Sequence, residues 1–372
     1  MQIYQKKIPI SLPYQFSNDK SIIDNDILLF DIETTGFSPD TTSIYLIGCC
    51  YYQNNSWNLT QYFADDYVSE ESILKSFIDL TKYFKVMIHY NGTGFDIPYL
   101  QKKFQFYKLD FSFECFLQID LYKKISPYKR LLELPDLKQK TLETYLGLTR
   151  QDTYSGGELI DVYVSYMKNK FSHNATMQDN RNTLLLHNEE DVCNLVLLTG
   201  ILAYSDLLEE PLQFSHAQVK EEYATLYFSL RNPVKTSFFY EAPENDISLS
   251  VQGCQGSMSI RTYYGTLKYF YSNYKDYYYL PKEDTAIHKS VATFVDKEYR
   301  QKAKASTCYT KKEGLFLPQF FGSLTPAFRF EYKDKTSYIE LTPSFLESKD
   351  QCQDYLKSVI NHLLKQNKGK GL

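Results

Sequence analysis

Three short stretches hold the residues whose types and spacing can do chemistry. In FDIETTG, residues 30–36, Asp31 and Glu33 stand two apart directly after the apolar run Ile27 to Phe30. Residues two apart in a strand face the same side, so both carboxylates point into one small volume. Like charges that close repel, and a divalent cation is the usual partner that holds them together. In HYNGTGFDIPYL a third acid, Asp96, follows a glycine-bearing loop and precedes a helix. In HNEEDVCNL, His187 and Asp191 lie four apart on a helix, on neighbouring positions of one face with about 5–6 Å between Cβ atoms.

Hydrolysis of a phosphodiester near neutral pH needs such a collection, because the attacking water must lose a proton and the leaving oxygen gains charge. Two Mg²⁺ or Mn²⁺ ions about 3.5–4 Å apart serve both ends of that displacement. Such hard ions take carboxylate oxygens, and four acids suffice to bridge and flank a pair. His187, with an ordinary pKa of about 6.5, is suited to take the proton of the water.

The elements that must position these groups follow from periodicity and turn residues. ILLFDIE, SIYLIGCCYY and SWNLTQYF read as a three-stranded meander separated by GFSPDTT and QNN. Ser69 is placed to cap a helix with apolar Ile73, Leu74, Phe77 and Ile78, and Val86 to Ile88 form a fourth strand. NGTGFDIPYL opens a helix to about Tyr107, and CFLQIDL is a strand. Helices follow in KTLETYL, stopped by Gly147, in ELIDVYVSYMK, and from about Thr183 to Leu208. After Pro211 the texture changes. Residues 247–280 are rich in β-branched and aromatic residues, AIHKSVATFVDKEYRQKAKA reads as a helix, and YLKSVINHLLK is a last helix before the polar tail 366–372.

Length and charge set the wider frame. A chain of 372 residues implies two domains, taken as 1–210 and a smaller α+β domain at 211–372. No run approaches the ~18 consecutive apolar residues of a membrane helix, so no transmembrane span is expected. The N-terminus lacks the apolar core of a signal peptide, and a cytoplasmic location is expected. The seven cysteines are scattered without a C-x-x-C pair and read as free thiols. The net charge of -4 argues against a generically basic nucleic-acid binder, but it divides unevenly: residues 1–210 hold 19 Lys+Arg against 28 Asp+Glu, and residues 211–372 hold 22 against 17. An acidic catalytic half beside a half able to hold a polyanion is one reading, chance the other.

FDIETTG, YNGTGFDIPYL and HNEEDV resemble the three motifs of the DEDD 3′-to-5′ exonuclease superfamily. LPDLKQKTLETYLGLTR and SGGELIDVYVSYM are similar to its YprB-like branch of ribonuclease H-like domain proteins, over roughly residues 27–205. The resemblance implies a ribonuclease H-like α/β domain with a mixed five-stranded sheet flanked by helices. It also implies metal binding by Asp31, Glu33, Asp96 and Asp191, His187 as general base, and stepwise hydrolysis of DNA or RNA from a single-stranded 3′ end. The family histidine usually lies five residues before the last Asp, whereas here the spacing is four. On a helix these spacings leave the two side chains about 140° and about 40° apart. A structure-selective endonuclease on the same fold and a non-catalytic nucleic-acid-binding module are the alternatives.

Substrate contacts are expected from Thr34, Asn91, Gly92, Lys138 and Lys140. In resembling exonucleases the Asn91–Gly92 loop approaches the terminal nucleotide, while a plain turn is the plainer reading; the lysines meet phosphates or form a solvated pair. Glu189 and Glu190 read as a solvated helical face, although Glu190 is close enough in sequence to sense the metals. His89, His173, His216, His288 and His362 have no partner spacing and read as structural. In the second half, the tyrosines from Tyr263 to Tyr279 interleave with Lys268 and Lys275, either to stack bases or, more commonly, to pack a strand face. Lys297, Arg300, Lys302, Lys304, Lys311 and Lys312 are phosphate contacts or a solvated helix face.

Overall fold

The computed structural model describes residues 1–16, 22–171, 175–210, 212–322 and 324–365; the tail 366–372, Pro211 and His173 lie outside them. The chain divides into two compact units, one of residues 1–129 with 133–204, the other of 130–132 with 205–372.

The first unit is built on a mixed sheet of strands β1 (Gln2–Ile8), β2 (Ile27–Thr34), β3 (Ile44–Gln53), β4 (Ser56–Phe63), β5 (Val86–His89) and β6 (Leu117–Asp120). Their order is β1-β4-β3-β2-β5-β6, antiparallel from β1 to β2 and parallel from β2 to β6. The sheet thus has six strands where five were expected. The added β1 is an edge strand whose sequence, QIYQKKI, leaves most side chains exposed or half-buried and so carries little apolar signal.

Helices cover the sheet: α1 (Glu70–Thr81), α2 (Asp96–Phe106), the short α3 (Leu121–Ile125), α4 (Gln139–Tyr145), α5 (Gly156–Asn169) and α6 (Ala175–Leu198). Ser69 stands at the first cap of α1, but its hydroxyl donates to Asp66 Oδ1 at 2.6 Å instead of accepting from the helix. Strand β2 is central, and its alternation sorts core from chemistry. Leu28, Phe30 and Ile32 join the apolar core, with the Phe30 ring 5.4 Å from that of Phe77 on α1. Asp31 and Glu33 face the other side, toward α6.

Helix α6 begins earlier than the apolar pattern indicated and packs on β2, β3 and β4. Its close approach depends on Gly48 of β3, which pairs with Asp31; a Cβ there would lie 2.1 Å from Asn188 Oδ1 and 2.8 Å from Val192 Cγ2. The helical run Ala175–Glu209 has the length and composition to cross a membrane, and 72% of its apolar window is buried inside the protein.

The second unit is dominated by strands. β7 (Gln213–Lys220), β8 (Tyr223–Ala242) and β9 (Ile247–Arg261) form an antiparallel sheet. β10 (Tyr263–Phe270) closes a small barrel with later strands, and β11 (Tyr277–Leu280) lies between β12 (Thr285–His288) and the two-residue β13 at 301–302. The barrel partners are β14 (Tyr309–Gln319), the two-residue β15 at 328–329 and β16 (Ser337–Glu340). Among the described residues four further helices follow: α7 (Leu202–Glu209), which begins in the first unit, then α8 (Lys289–Ala292), α9 (Pro343–Glu347) and α10 (Lys349–Lys365).

The helix expected over 286–305 is therefore confined to α8. Pairing of β12 and β13 with β11 overrides the propensity of its alanines and lysines. The tyrosine run is mainly core: Tyr263 and Tyr269 pack on Leu267 and Phe316, and Tyr271, Tyr274, Tyr277 and Tyr279 on a second cluster, while Tyr264 is 71% exposed. The basic run shares no helix face; Lys311 pairs with Asp284, Lys312 with Glu340, and Arg300 lies over the Tyr278 ring.

Candidate active site

Asp31 and Glu33 leave β2 where the ladder to β3 shifts register, and Asp96 opens α2. Asp96 Oδ1 accepts the Ile32 N–H at 3.3 Å, which ties the start of α2 to the strand between the other two acids. From α6, His187 Nε2 lies 3.0 Å from Asp191 Oδ2 and 3.7 Å from Glu33 Oε1. Glu33, His187 and Asp191 each bring one potential ligand atom within 4.8 Å of the others. Asp31, Asp96, His187 and Asp191 share a cleft of about 660 Å³, and Asp31, Glu33, His187 and Asp191 an adjoining depression of about 370 Å³. All five predicted catalytic residues thus meet at one place.

Burial first, and the neighbouring charges after it, shift every group. Burial, then the charges of Asp191, Asp96 and Glu33, raise Asp31 well above the carboxylate range. Burial pushes Glu33 up to about 8 despite the opposing charge of His187, and Asp96 up to about 7 against two hydrogen bonds from backbone N–H groups. Burial alone would raise Asp191, but the hydrogen bond and charge of His187, with Arg150 beside it, hold it below the ordinary value. Burial would lower His187, but its bond to Asp191 and the charges of Glu33, Asp191 and Asp152 lift it to about 9. Hard oxygen donors that destabilise one another in this way fit divalent cations such as Mg²⁺ or Mn²⁺, whose charge relieves the repulsion.

Several residues here escaped the sequence analysis. Asp152, its side chain 2% exposed, places Oδ2 2.7 Å from His187 Nδ1. Arg150 is bonded through two nitrogens to buried Glu143 and also donates to Asp191 Oδ1, while its Nη1 has no hydrogen-bond partner among the described residues and lies 4.0 Å from Asp152 Oδ2. Glu190, expected to be solvated, accepts the N–H groups of Gln151 and Asp152 at 2.8 and 2.9 Å and fastens this loop to α6. Asn188 Nδ2 donates to Asp31 Oδ2 at 3.2 Å, and its Oδ1 accepts from Gln61. The loop LTRQDTY has no periodicity and its partners lie far along the chain, so only the charged pair in R-Q-D hinted at it.

The expected substrate contacts separate. Thr34 lines the smaller depression and donates to the Gly36 carbonyl at 2.8 Å; Asn91, Lys138 and Lys140 line the larger cleft. Asn91 is exposed in a left-handed turn, φ 56°, with its N–H held by Asp120 Oδ1 at 2.9 Å. Lys138 is exposed, whereas Lys140 Nζ is already bonded to Asp152 Oδ2 at 3.1 Å. Gly92 is buried instead: its N–H donates to His89 Nδ1 at 3.2 Å, and a Cβ would lie 2.6 Å from that ring. Packing on His89 accounts for the glycine.

No curated protein matches the chain. Among solved structures it is similar to the family B DNA polymerase of the hyperthermophilic archaeon Pyrobaculum calidifontis, with 14% identity over 67% of this chain and 35% of that one, at a TM-score of 0.35. It is also similar to E. coli exonuclease I in complex with a dT13 oligonucleotide, with 15% identity, coverage of 61% and 55% and a TM-score of 0.24. The zinc-bound E. coli exonuclease I–ssDNA complex gives 12% identity, coverage of 92% and 72% and a TM-score of 0.27. The chain spans 35% and 55% of the length of the first two solved structures it matches. The family model described as RNase H superfamily, by contrast, matches residues 28–203, which span β2 to the end of α6 and all the acids of the cleft. Over this segment the chain is similar to the RNase H superfamily and has its mixed-sheet fold.

Proposed function

We propose that the protein is a divalent-cation-dependent 3′-to-5′ exonuclease that releases nucleoside 5′-monophosphates from a single-stranded nucleic-acid end. The observation that carries this reading is the convergence of Asp31, Glu33, Asp96 and Asp191, from β2, α2 and α6, where two adjoining depressions meet in a segment similar to the RNase H superfamily. The four acids would hold two Mg²⁺ or Mn²⁺ ions, whose charge acidifies an attacking water and stabilises the departing oxygen.

The remaining work falls to the chain. Asp152 holds Nδ1 of His187, which leaves Nε2, beside Asp191 and Glu33, as the nitrogen that first gives up its proton and then takes one from the water. Arg150 pins Asp191 through Oδ1 and, after His187, helps to keep it ionised. Lys138, exposed at the cleft, meets a phosphate of the strand as a point charge. In the same proposal residues 1–210 carry the chemistry, and residues 211–372 help hold nucleic acid, with Tyr264 as an exposed stacking ring.

The polarity and end requirement are tested with a linear single strand, the same strand blocked at its 3′ end, and a circular single strand. Digestion of the free linear strand alone is expected. Cleavage of the circle would replace this reading with an endonuclease.

A further inference from the structure

A long sheet edge without charge or proline is a template for another chain, and proteins usually guard such edges. Strand β9 runs for 15 residues and pairs with β8 along one edge. Among the described residues no strand pairs with its other edge. Nor does the stretch ISLSVQGCQGSMSI, residues 247–260, contain a charged side chain or a proline to guard it.

The same stretch reads almost alike in both directions. From its two ends inward, Ile247 matches Ile260, Ser248 matches Ser259, Leu249 matches Met258, Ser250 matches Ser257 and Gln252 matches Gln255. Burial repeats the symmetry. Ile247, Leu249 and Val251 are buried in one arm and Gly256, Met258 and Ile260 in the other, with the serines between them half-buried and both glutamines exposed. A regular strand could not show this symmetry about a point between two residues, because it puts odd and even positions on opposite faces. The change of phase comes at Gly253, whose left-handed backbone, φ 54°, bends β9 beside the centre of the symmetry.

Residues directly opposite each other in an antiparallel pair share a face of the sheet. A second β9, turned about a two-fold axis between Gly253 and Cys254, therefore sets Ile247 opposite Ile260, Leu249 opposite Met258 and Ser250 opposite Ser257. Both faces of the sheet continue across the junction, and no like charges meet. A slip of one residue would put buried positions opposite exposed ones, so the register is fixed. Such self-complementarity is what a two-fold interface between identical chains requires.

We propose that the chain forms a two-fold dimer by antiparallel pairing of β9 with β9 of a second copy, which joins the β7-β8-β9 sheets of both into one.

The test is sedimentation equilibrium of the full chain over a concentration series, with a thiol reductant so that Cys254 stays free. Wild type is expected at twice the chain mass. Ser250 and Ser257 suit substitution, since both are half-buried and their neighbours across β8, Phe239 and Tyr227, are uncharged. In Ser250→Lys/Ser257→Lys every substituted position faces a like charge of the other copy; in Ser250→Lys/Ser257→Glu each faces the opposite charge. The double-lysine variant is expected to have a dimer Kd at least about tenfold above that of the charge-swapped one, the scale of turning two cross-strand pairs from attraction to repulsion. Ser250→Glu/Ser257→Glu, with the same repulsion in the other sign, is expected to lose as much, and added salt to narrow both differences. Wild-type protein that stays at the chain mass throughout the series overturns the dimer. Equal Kd values in the like-charged and charge-swapped variants overturn the β9 pairing.

Discussion

Both ring nitrogens of His187 face carboxylates, Nδ1 toward Asp152 and Nε2 toward Asp191, and an ionised carboxylate only accepts. The ring in this arrangement carries both protons, in accord with its pKa of about 9. Asp152 therefore fixes which nitrogen is left to exchange a proton, much as a buried carboxylate orients a catalytic imidazole elsewhere. Residues that act as one unit lose activity non-additively. His187→Ala and Asp152→Ala are each expected to lower kcat by on the order of 10²-fold or more, and the double variant by no more than the worse single one. Single-turnover rates on a single-stranded oligonucleotide check this; losses that multiply would separate the two residues.

The acids make a second prediction at the same scale. Glu33 and Asp96 have folded-state values of about 8 and about 7, above the ordinary carboxylate range. The folded protein therefore holds protons that the unfolded chain has released, and stability falls as pH rises through this window. His187, raised to about 9, acts in the same direction above its ordinary value. Melting curves without divalent cation are expected to give a lower melting temperature at pH 8 than at pH 5.5, with Mn²⁺ restoring most of the loss at pH 8. A melting temperature insensitive to both contradicts the crowding of charge described here.

Among the elements, α6 does the most, because a single helix brings His187, Asn188 and Asp191 against β2. Gly48 sets that distance. Gly48→Ala forces a Cβ into Asn188 and Val192, and such overpacking costs about 1–3 kcal/mol. Urea unfolding should show a destabilisation of that size together with weaker Mn²⁺ binding, since α6 carries Asp191. Full stability with unchanged Mn²⁺ affinity would mean that the helix seats elsewhere.

What was readable at this scale follows from locality. Strands β2 to β5 and helices α1, α2, α5 and α10 each carry a continuous apolar period. Edge strand β1 does not, and the misread stretch 286–305 has helix-forming residues whose fate is decided by pairing with β11. The site divides in the same way. Its acids sit in short motifs at element ends, while Arg150 and Asp152 reach partners 41 and 35 residues away from a loop with no pattern of its own.

For the molecule as a whole, the first unit gathers its acids into one cleft. The second commits much of its aromatic and basic sequence to its own structure, in the two tyrosine clusters and in the pairs of Lys311 and Lys312. A charge sum over each half, -9 and +5 from the residue counts, therefore overstates how much free positive surface the second half presents.

The central claim is that the converging acids hold cations and cut nucleic acid, and the most direct measurement follows a 5′-labelled single-stranded oligonucleotide over time. With wild-type protein and Mg²⁺ or Mn²⁺, a ladder shortening from the 3′ end is expected, and none with a chelator or with Asp31→Ala, whose thermal unfolding stays cooperative. Digestion that continues undiminished in the chelator or in Asp31→Ala contradicts the account.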